Sequence, residues 1–310
     1  RVLVDVYSAG LSYFDIFQAQ GKYQHQPTQP FVPGSELTGR IAESSPIPDG
    51  CPFSAAQGAF AVRTARRTCR ATAAPVQRGV ARRAGLFATW TTSYEGVRRG
   101  REHRGLSAAR EGAILVLWAL GAKVVAAAGS QEKLDISVKY GGTDHSVNYS
   151  KEGWREEVLK LTGGQGVDVT YDPIGLIRDS PKYIALNGHA IVVGFAAGQV
   201  DKLALNLVLL KNISIASIHW GVYTRGAGVR LPRVLCSCFS LFHWLVASGR
   251  AKPVVYSETY PLDRLADGLS ALEQRKTWGK VIVHVRDASP TGPKANPQAP
   301  SGRLSCAVSI

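Results

Sequence analysis

Three strand-like segment ends in this sequence carry suggestive chemistry, and the first is the most informative. The apolar run Lys123–Ala128 ends in Gly129-Ser130, with Lys133 one helical turn further on. A hydroxyl and an ammonium so placed suit a phosphomonoester, because both donate hydrogen bonds and one adds positive charge. A carboxylate at that point would instead hold the ribose hydroxyls of NAD, so Ser and Lys point to the extra phosphate of NADP. The plainer reading, that Ser130 only caps a helix and Lys133 is only exposed, stands equally at this level. Val167–Tyr171 ends in Asp172-Pro173-Ile174-Gly175, and His189–Val193 ends in Gly194-Phe195. Such ends matter because ligands of open α/β sheets lie at the carboxyl ends of the strands.

The elements that must position these residues alternate. Lys123–Ala127 reads as a short buried strand. Ser130 caps a helix through Tyr140, with Gly141 as its stop. Glu152–Leu161 is an amphipathic helix with Trp154, Val158 and Leu161 on one face. Val167–Tyr171, His189–Phe195 and Ile213–Ile218 are further strands, and Gly163-Gly-Gln-Gly166 is a C-cap and turn. This alternation implies a doubly wound, mostly parallel sheet with helices on both faces. Residues 1–60 differ: Val2–Val6 alternates as a strand, Pro27, Pro30 and Pro33 punctuate a loop, and Gly39–Ala42 returns to strand. Leu262–Arg275 is a helix, Lys280–Val285 a closing strand, and 287–310 a Pro/Ser/Ala/Gly-rich tail expected to be disordered.

A chain of 310 residues with 45% hydrophobic content has material for two domains. The longest apolar runs, Ile191–Gly198 and Leu203–Leu210, fall well short of the roughly 18 residues of a membrane span, so no membrane partner is expected. Five cysteines exclude a disulfide scaffold and leave the cytoplasm as the default location. The sequence holds no methionine and opens inside a strand-like pattern, which reads as a chain lacking its own N-terminus. The net charge is +14, but residues 62–110 alone hold twelve arginines against Glu95 and Glu102. Val62–Ala84 contains no Leu, Ile, Phe, Tyr or Trp and is expected to be disordered. Without aromatics among the arginines, a nucleic-acid surface is the weaker reading of this block.

The order of segments resembles the zinc-independent branch of the medium-chain dehydrogenase/reductase superfamily, the quinone oxidoreductase or zeta-crystallin type. The resemblance rests on VLVDVYSAGLSYFD (Val2–Asp15), GKYQHQPTQPFVPGSELTG (Gly21–Gly39), GLFATWTTSYEG (Gly85–Gly96), Leu120–Tyr149, Val167–Gly175, Ala190–Gly198 and Trp278–Val285. It implies an α/β fold, with a Rossmann-like doubly wound parallel sheet at 90–249 and a β-rich GroES-like catalytic domain from 1–89 and 250–286. It further implies hydride transfer from NADPH to a small-molecule quinone or α,β-unsaturated carbonyl, and it admits a homodimer. By resemblance Ser12, Tyr13, Asp15 and Tyr23 are the catalytic-loop residues. Thr92, Ser130, Lys133, Tyr149, Gly194, Phe195 and Lys280 are the cofactor-binding ones. Ser12 and Ser35 stand where zinc-dependent relatives carry Cys and His. Serine is a poor zinc ligand, so no metal is expected; the isolated pair Cys236-x-Cys238 reads as core.

Two departures qualify this. The strand candidate Ala113–Leu117 runs directly into Trp118-Ala-Leu-Gly-Ala-Lys123. A strand-helix-strand unit needs roughly 30 residues, so the first βα unit reads as truncated, without the glycine loop that would bind a pyrophosphate. The arginine-rich block, and the loss of resemblance from Val97 to about Glu111, are what a wrong reading frame would produce. An inactive relative, and a basic nucleic-acid-binding remnant built on 62–110, are therefore the alternative expectations.

Overall fold

The computed structural model describes residues 2–23, 26–41, 51–54, 58–66, 84, 87–100, 107–109, 114, 118, 121–140, 142–196, 202–221, 241, 244–246, 248–249 and 253–287. These divide into two compact units. One is drawn from Arg1–Ala88, Ala227–His243 and Val255–Ile310, the other from Thr89–Gly226 and Trp244–Val254.

The first unit is built on a six-stranded sheet. Its strands are β1 (Val2–Gly10), β2 (Glu36–Ile41), β3 (Cys51–Ser54), β4 (Arg63–Arg66), β11 (Val255–Pro261) and β12 (Lys280–His284). The order is β11-β12-β1-β2-β3, with β4 also on β1. β1 pairs antiparallel with β12, β2 and β4, while β11 and β12 run parallel. The β1–β2 register shifts between Val6 and Ser8. Such a bulge changes which side chains face inward. The core accordingly takes Val4 and Val6 before the shift but Ala9 and Leu11 after it. They pack with Ile16, Leu37, Phe60, Tyr260, Leu272, Val281 and Val283. Two helices join this core: α1 (Tyr13–Ala19), and α7 (Leu265–Glu273) with the 3-10 turn Leu262–Arg264 before it.

The second unit holds six parallel strands: β5 (Ser107–Ala109), β6 (Val124–Ala128), β7 (His145–Asn148), β8 (Val167–Asp172), β9 (Ile184–Val192) and β10 (Ser214–Ser217). The order is β10-β9-β8-β5-β6-β7. The chain thus runs outward from β5 through β6 to β7, returns to the other side of β5, and continues through β8 to β10. That is the Rossmann order, with its switch point between β5 and β8. The helices of this unit are α2 (Phe87–Gly100), α3 (Gln131–Tyr140), α4 (Trp154–Leu161), α5 (Ser180–Tyr183) and α6 (Leu205–Leu210). Trp154 and Val158 of α4 pack with Val125, Val147, Val167, Ile184, Ala190 and Ile213. Gly163, Gly164 and Gly166 all have positive φ, and the Gly164 N–H closes the helix on Leu159 O at 2.7 Å, as a C-cap and turn.

Three expectations are corrected. The first strand of the parallel sheet is Ser107–Ala109, not Ala113–Leu117, and Ile114 is helical. Partners on both sides hold Ser107 and Ala108 in the ladder, so two-sided backbone pairing outweighs weak strand propensity. The segment 62–84 is not wholly without structure: Arg63–Arg66 pairs with Asp5–Val2, and Ala84 is helical and buried. Edge pairing satisfies backbone groups and needs no apolar side chains. β9 spans Ile184–Val192 rather than His189–Phe195, because its early residues pair with Val167 across a register shift. The tail beyond Asp287, Cys236-x-Cys238 and residues 67–83 lie outside the described residues. No helix among the described residues is long and apolar enough to cross a membrane.

Candidate functional site

In the first unit, strand register assembles a buried polar cluster. Gly10, the last residue of β1, lies directly opposite Glu36 on one side and Ile282 on the other. Cross-strand neighbours share a face, and Lys280 shares that of Ile282 because it is two residues away. Glu36 and Lys280 therefore meet over Gly10, where the Lys280 ammonium pairs with Glu36 Oε1. A Cβ on Gly10 would come within 2.8 Å of Glu36 Oε1 and 2.9 Å of Lys280 Cε, so the close approach requires glycine.

The chain then turns into α1. Ser12 holds the extended conformation of an N-cap, and its N–H donates to Asp15 Oδ2 at 2.8 Å. Lys280 Nζ donates to Ser12 Oγ at 2.8 Å. Asp15 and Glu36 are 0% exposed, whereas Ser12 is half-buried. Burial pushes the Asp15 carboxyl up to about 7, opposed by the Ser12 N–H and the Lys280 charge, reinforced by Glu36, and opposed again by the Gly34 N–H. With Asp15 protonated, the Lys280–Glu36 pair leaves the cluster without net charge.

The other loop residues fall into different roles. The Tyr13 hydroxyl donates to Leu272 O at 2.7 Å, which ties α1 to α7. Tyr23 packs edge-on against Phe14, with ring centres 4.6 Å apart. Lys280, which the resemblance groups with Gly194 and Phe195 as cofactor-binding, donates from Nζ to Ser12 Oγ. Glu36, within PFVPGSE, was not among the expected site residues, because its pairing with Lys280 depends on strand register and leaves no local signal. Among the described residues, no group of three or more His, Cys, Asp or Glu could hold a metal ion.

In the second unit the strand ends gather at one edge of the sheet, since all six strands are parallel. Ser130 stands at the N-cap of α3, its carbonyl accepting the Leu134 N–H at 3.3 Å, and Lys133 lies in the first turn, partly buried. Gly129 supports the ring of Tyr149, and a Cβ there would meet Tyr149 Oη at 3.0 Å. The Tyr149 N–H donates to Ala128 O and the Ser150 hydroxyl to Gly129 O, both at 3.1 Å. Ser130 and Tyr149 are thus brought to one strand end, beside a cavity of about 550 Å³ lined by Tyr149–Glu156. Asp172 Oδ1 accepts the Ile174 and Gly175 N–H groups at 2.9 Å, fixing the turn after β8. The neighbouring Gly194-Phe195 turn is tied to it by Val193 N–H on Asp172 O and Ala196 N–H on Pro173 O. Thr92 lies on α2, half-buried; next to it, the Ser93 hydroxyl bonds Thr89 O at 2.7 Å.

Comparison with known proteins agrees with both units. Residues 111–229 match the family model described as zinc-binding dehydrogenase. A quinone oxidoreductase-like protein 2 of Bos taurus is 30% identical over 307 residues, covering 92% of this chain and 85% of its own length. A probable oxidoreductase of Mycobacterium abscessus superposes with a TM-score of 0.76 at 27% identity, over 92% of this chain and 90% of its own. The quinone oxidoreductase of Thermus thermophilus, solved also in complex with NADPH, gives a TM-score of 0.79 at 21% identity, over 92% and 91%. Strand order, a GroES-like β-rich unit and a Rossmann unit in one chain, and similarity along nearly the whole chain converge: the chain belongs to the medium-chain dehydrogenase/reductase family of oxidoreductases, among its quinone oxidoreductase-like members.

Proposed function

We propose that this chain transfers hydride from NADPH to a quinone or another α,β-unsaturated carbonyl compound. The observation that carries the reading is the end of β6: Gly129-Ser130 under the ring of Tyr149, with Lys133 in the first turn of α3 and no carboxylate at the strand's last residue. These residues fit a phosphorylated adenosine. Ser130 and Lys133 hold its 2′-phosphate by a hydroxyl and a positive charge, and Tyr149 flanks the adenine. Thr92, Gly194 and Phe195 lie toward the nicotinamide. The bound cofactor supplies the hydride; the protein orients the acceptor and excludes water. Ser12, with Asp15 beneath it, faces the acceptor's oxygen, and Tyr13 and Tyr23 shape the loop around it. The protein works in a reducing, cytoplasmic setting, and as a homodimer whose reading rests on exposed Leu186, Leu205, Leu209 and Leu210 beside the edge strand β10.

The test is a thermal-shift titration with NADPH and NADH in parallel, followed by quinone reduction assays. At a hundred times its dissociation constant a ligand stabilises by about 2.7 kcal/mol. A clear shift with NADPH, a weaker one with NADH and turnover of a quinone are the expected results. One observation favours a second reading, an inactive relative: only residues 110–123 separate β5 from β6, little room for a pyrophosphate-binding loop and its helix. A cooperative melt unmoved by either nucleotide selects that reading.

A further inference from the structure

We propose that the Ser12 hydroxyl is the proton donor to the reduced acceptor, and that Lys280, held by Glu36, reloads it. The inference rests on the hydride-transfer reading above and assigns the proton that reading leaves unassigned. Lys280 Nζ donates to Ser12 Oγ at 2.8 Å, so a lone pair of the hydroxyl is engaged and its own hydrogen is left to point away from the ammonium. The ammonium also lowers the cost of transient negative charge on Oγ. Lys280 is itself held by the fully buried Glu36 over Gly10, where no side chain intervenes. Asp15, fully buried beneath Ser12, accepts the Ser12 N–H and fixes the backbone that carries the hydroxyl. Of the four side chains, those of Asp15 and Glu36 are sealed, and Ser12 is half-buried at the edge of the cluster.

The step balances. With NADPH bound, the cofactor would supply a hydride, two electrons and one hydrogen, to the acceptor, which would gain one bond to hydrogen and carry negative charge on its oxygen. The Ser12 O–H bond breaks as the acceptor O–H bond forms. A Lys280 N–H bond then breaks as the Ser12 O–H bond is restored, and water returns a proton to the Lys280 amine. The groups facing Lys280 and Ser12 are Glu36 from β2 and Asp15 from α1. Ser12 is the catalytic residue and Lys280 acts through it.

The test begins with a probe that needs neither cofactor nor turnover. 4-Nitrophenol, whose phenolate mimics the oxyanion of a half-protonated hydroquinone, is titrated against the full chain and its ionisation followed by absorbance. The bound probe is expected to ionise at least one pH unit below the free probe, a tenfold preference for the anion. Ser12→Ala and Lys280→Gln should each abolish that shift. An unshifted midpoint, or a shift retained in Ser12→Ala, overturns the proposal. Should Lys280→Gln fail to fold, Ser12→Ala alone decides. In turnover, Ser12→Ala is expected to lower kcat about 100-fold with the KM for NADPH unchanged, while Ser12→Thr keeps most of the rate and the solvent deuterium isotope effect. Full activity in Ser12→Ala overturns the proton donor but leaves hydride transfer standing. A wild-type protein that shifts nitrophenol yet reduces no quinone overturns the functional reading and leaves the donor site intact.

Discussion

Lys280 Nζ reaches Ser12 Oγ across 268 positions of sequence, and on its way it neutralises Glu36, a carboxylate with no exposed surface. Removing one member of a buried ion pair leaves an uncompensated charge, which costs about 3–5 kcal/mol. Lys280→Gln is therefore expected to lower the urea midpoint sharply. The double variant Lys280→Met/Glu36→Leu should recover most of that loss, since it removes both charges. Equal destabilisation in both variants would contradict the pairing.

Asp15 gives stability a distinctive dependence on pH. Its folded value near 7 lies above the ordinary 3.8, so between those values the folded chain keeps a proton that the unfolded chain has released. This group's contribution is fully present below pH 4, declines as pH rises toward 7, and changes no further above that. The slope reaches at most about 1.4 kcal/mol per pH unit. Urea unfolding of Asp15→Asn at pH 5, 6, 7 and 8 should lack this decline relative to the wild type. Parallel profiles in the two proteins would refute the raised value.

On the proposed reading, the end of β6 is expected to set the choice of nucleotide. Ser130→Asp places a carboxylate where a 2′-phosphate is expected, and Lys133→Ala removes the facing charge. Each should weaken NADPH binding about 10- to 100-fold, the scale of one or two charge-assisted hydrogen bonds. NADH affinity should hold or improve in Ser130→Asp. Fluorescence titration of both nucleotides on each variant measures this, and equal loss for the two would point to damaged packing under Tyr149.

The leucine face of α6 is the expected site of self-association. Leu209 and Leu210 are 79% and 74% exposed, and β10, next along the chain, ends the parallel sheet. A two-fold axis beside an edge strand lets two copies pair the same backbone groups and cover the same leucines. Leu209→Asp should convert a dimer to a monomer in sedimentation, with melting that no longer depends on protein concentration.

The parallel sheet was legible from Lys123 onward because its strands are apolar runs closed by glycines and caps, and α3 and α4 fell within one or two residues of their expected bounds. Ser107–Ala109 was not legible. Three small residues carry no strand preference, and they pair only because β6 and β8 flank them. Arg63–Arg66 escaped notice for a related reason: a strand held by its backbone leaves no alternation to read. The site was half legible. Ser12, Asp15 and Lys280 were named by resemblance, but the Lys280–Glu36 pair depends on two strands meeting over Gly10, and that register is written nowhere locally.

The arrangement of β1 between β2 and β12 bears on how the protein is made. β1 is synthesised well before β12, its neighbour along Ser8–Gly10 on the side away from β2, which emerges about 270 residues later, with the second unit in between. At ribosomal speeds of roughly 5–20 residues per second, that leaves a delay of about 15–55 s. Through that interval the Glu36 carboxylate has no ammonium opposite it, and the edge of β1 is open to strangers. The second unit, nearly contiguous in sequence, is free to fold meanwhile. A nascent chain stalled before Lys280 should thus hold a protease-resistant nucleotide unit tethered to an N-terminal segment that a chaperone must shield.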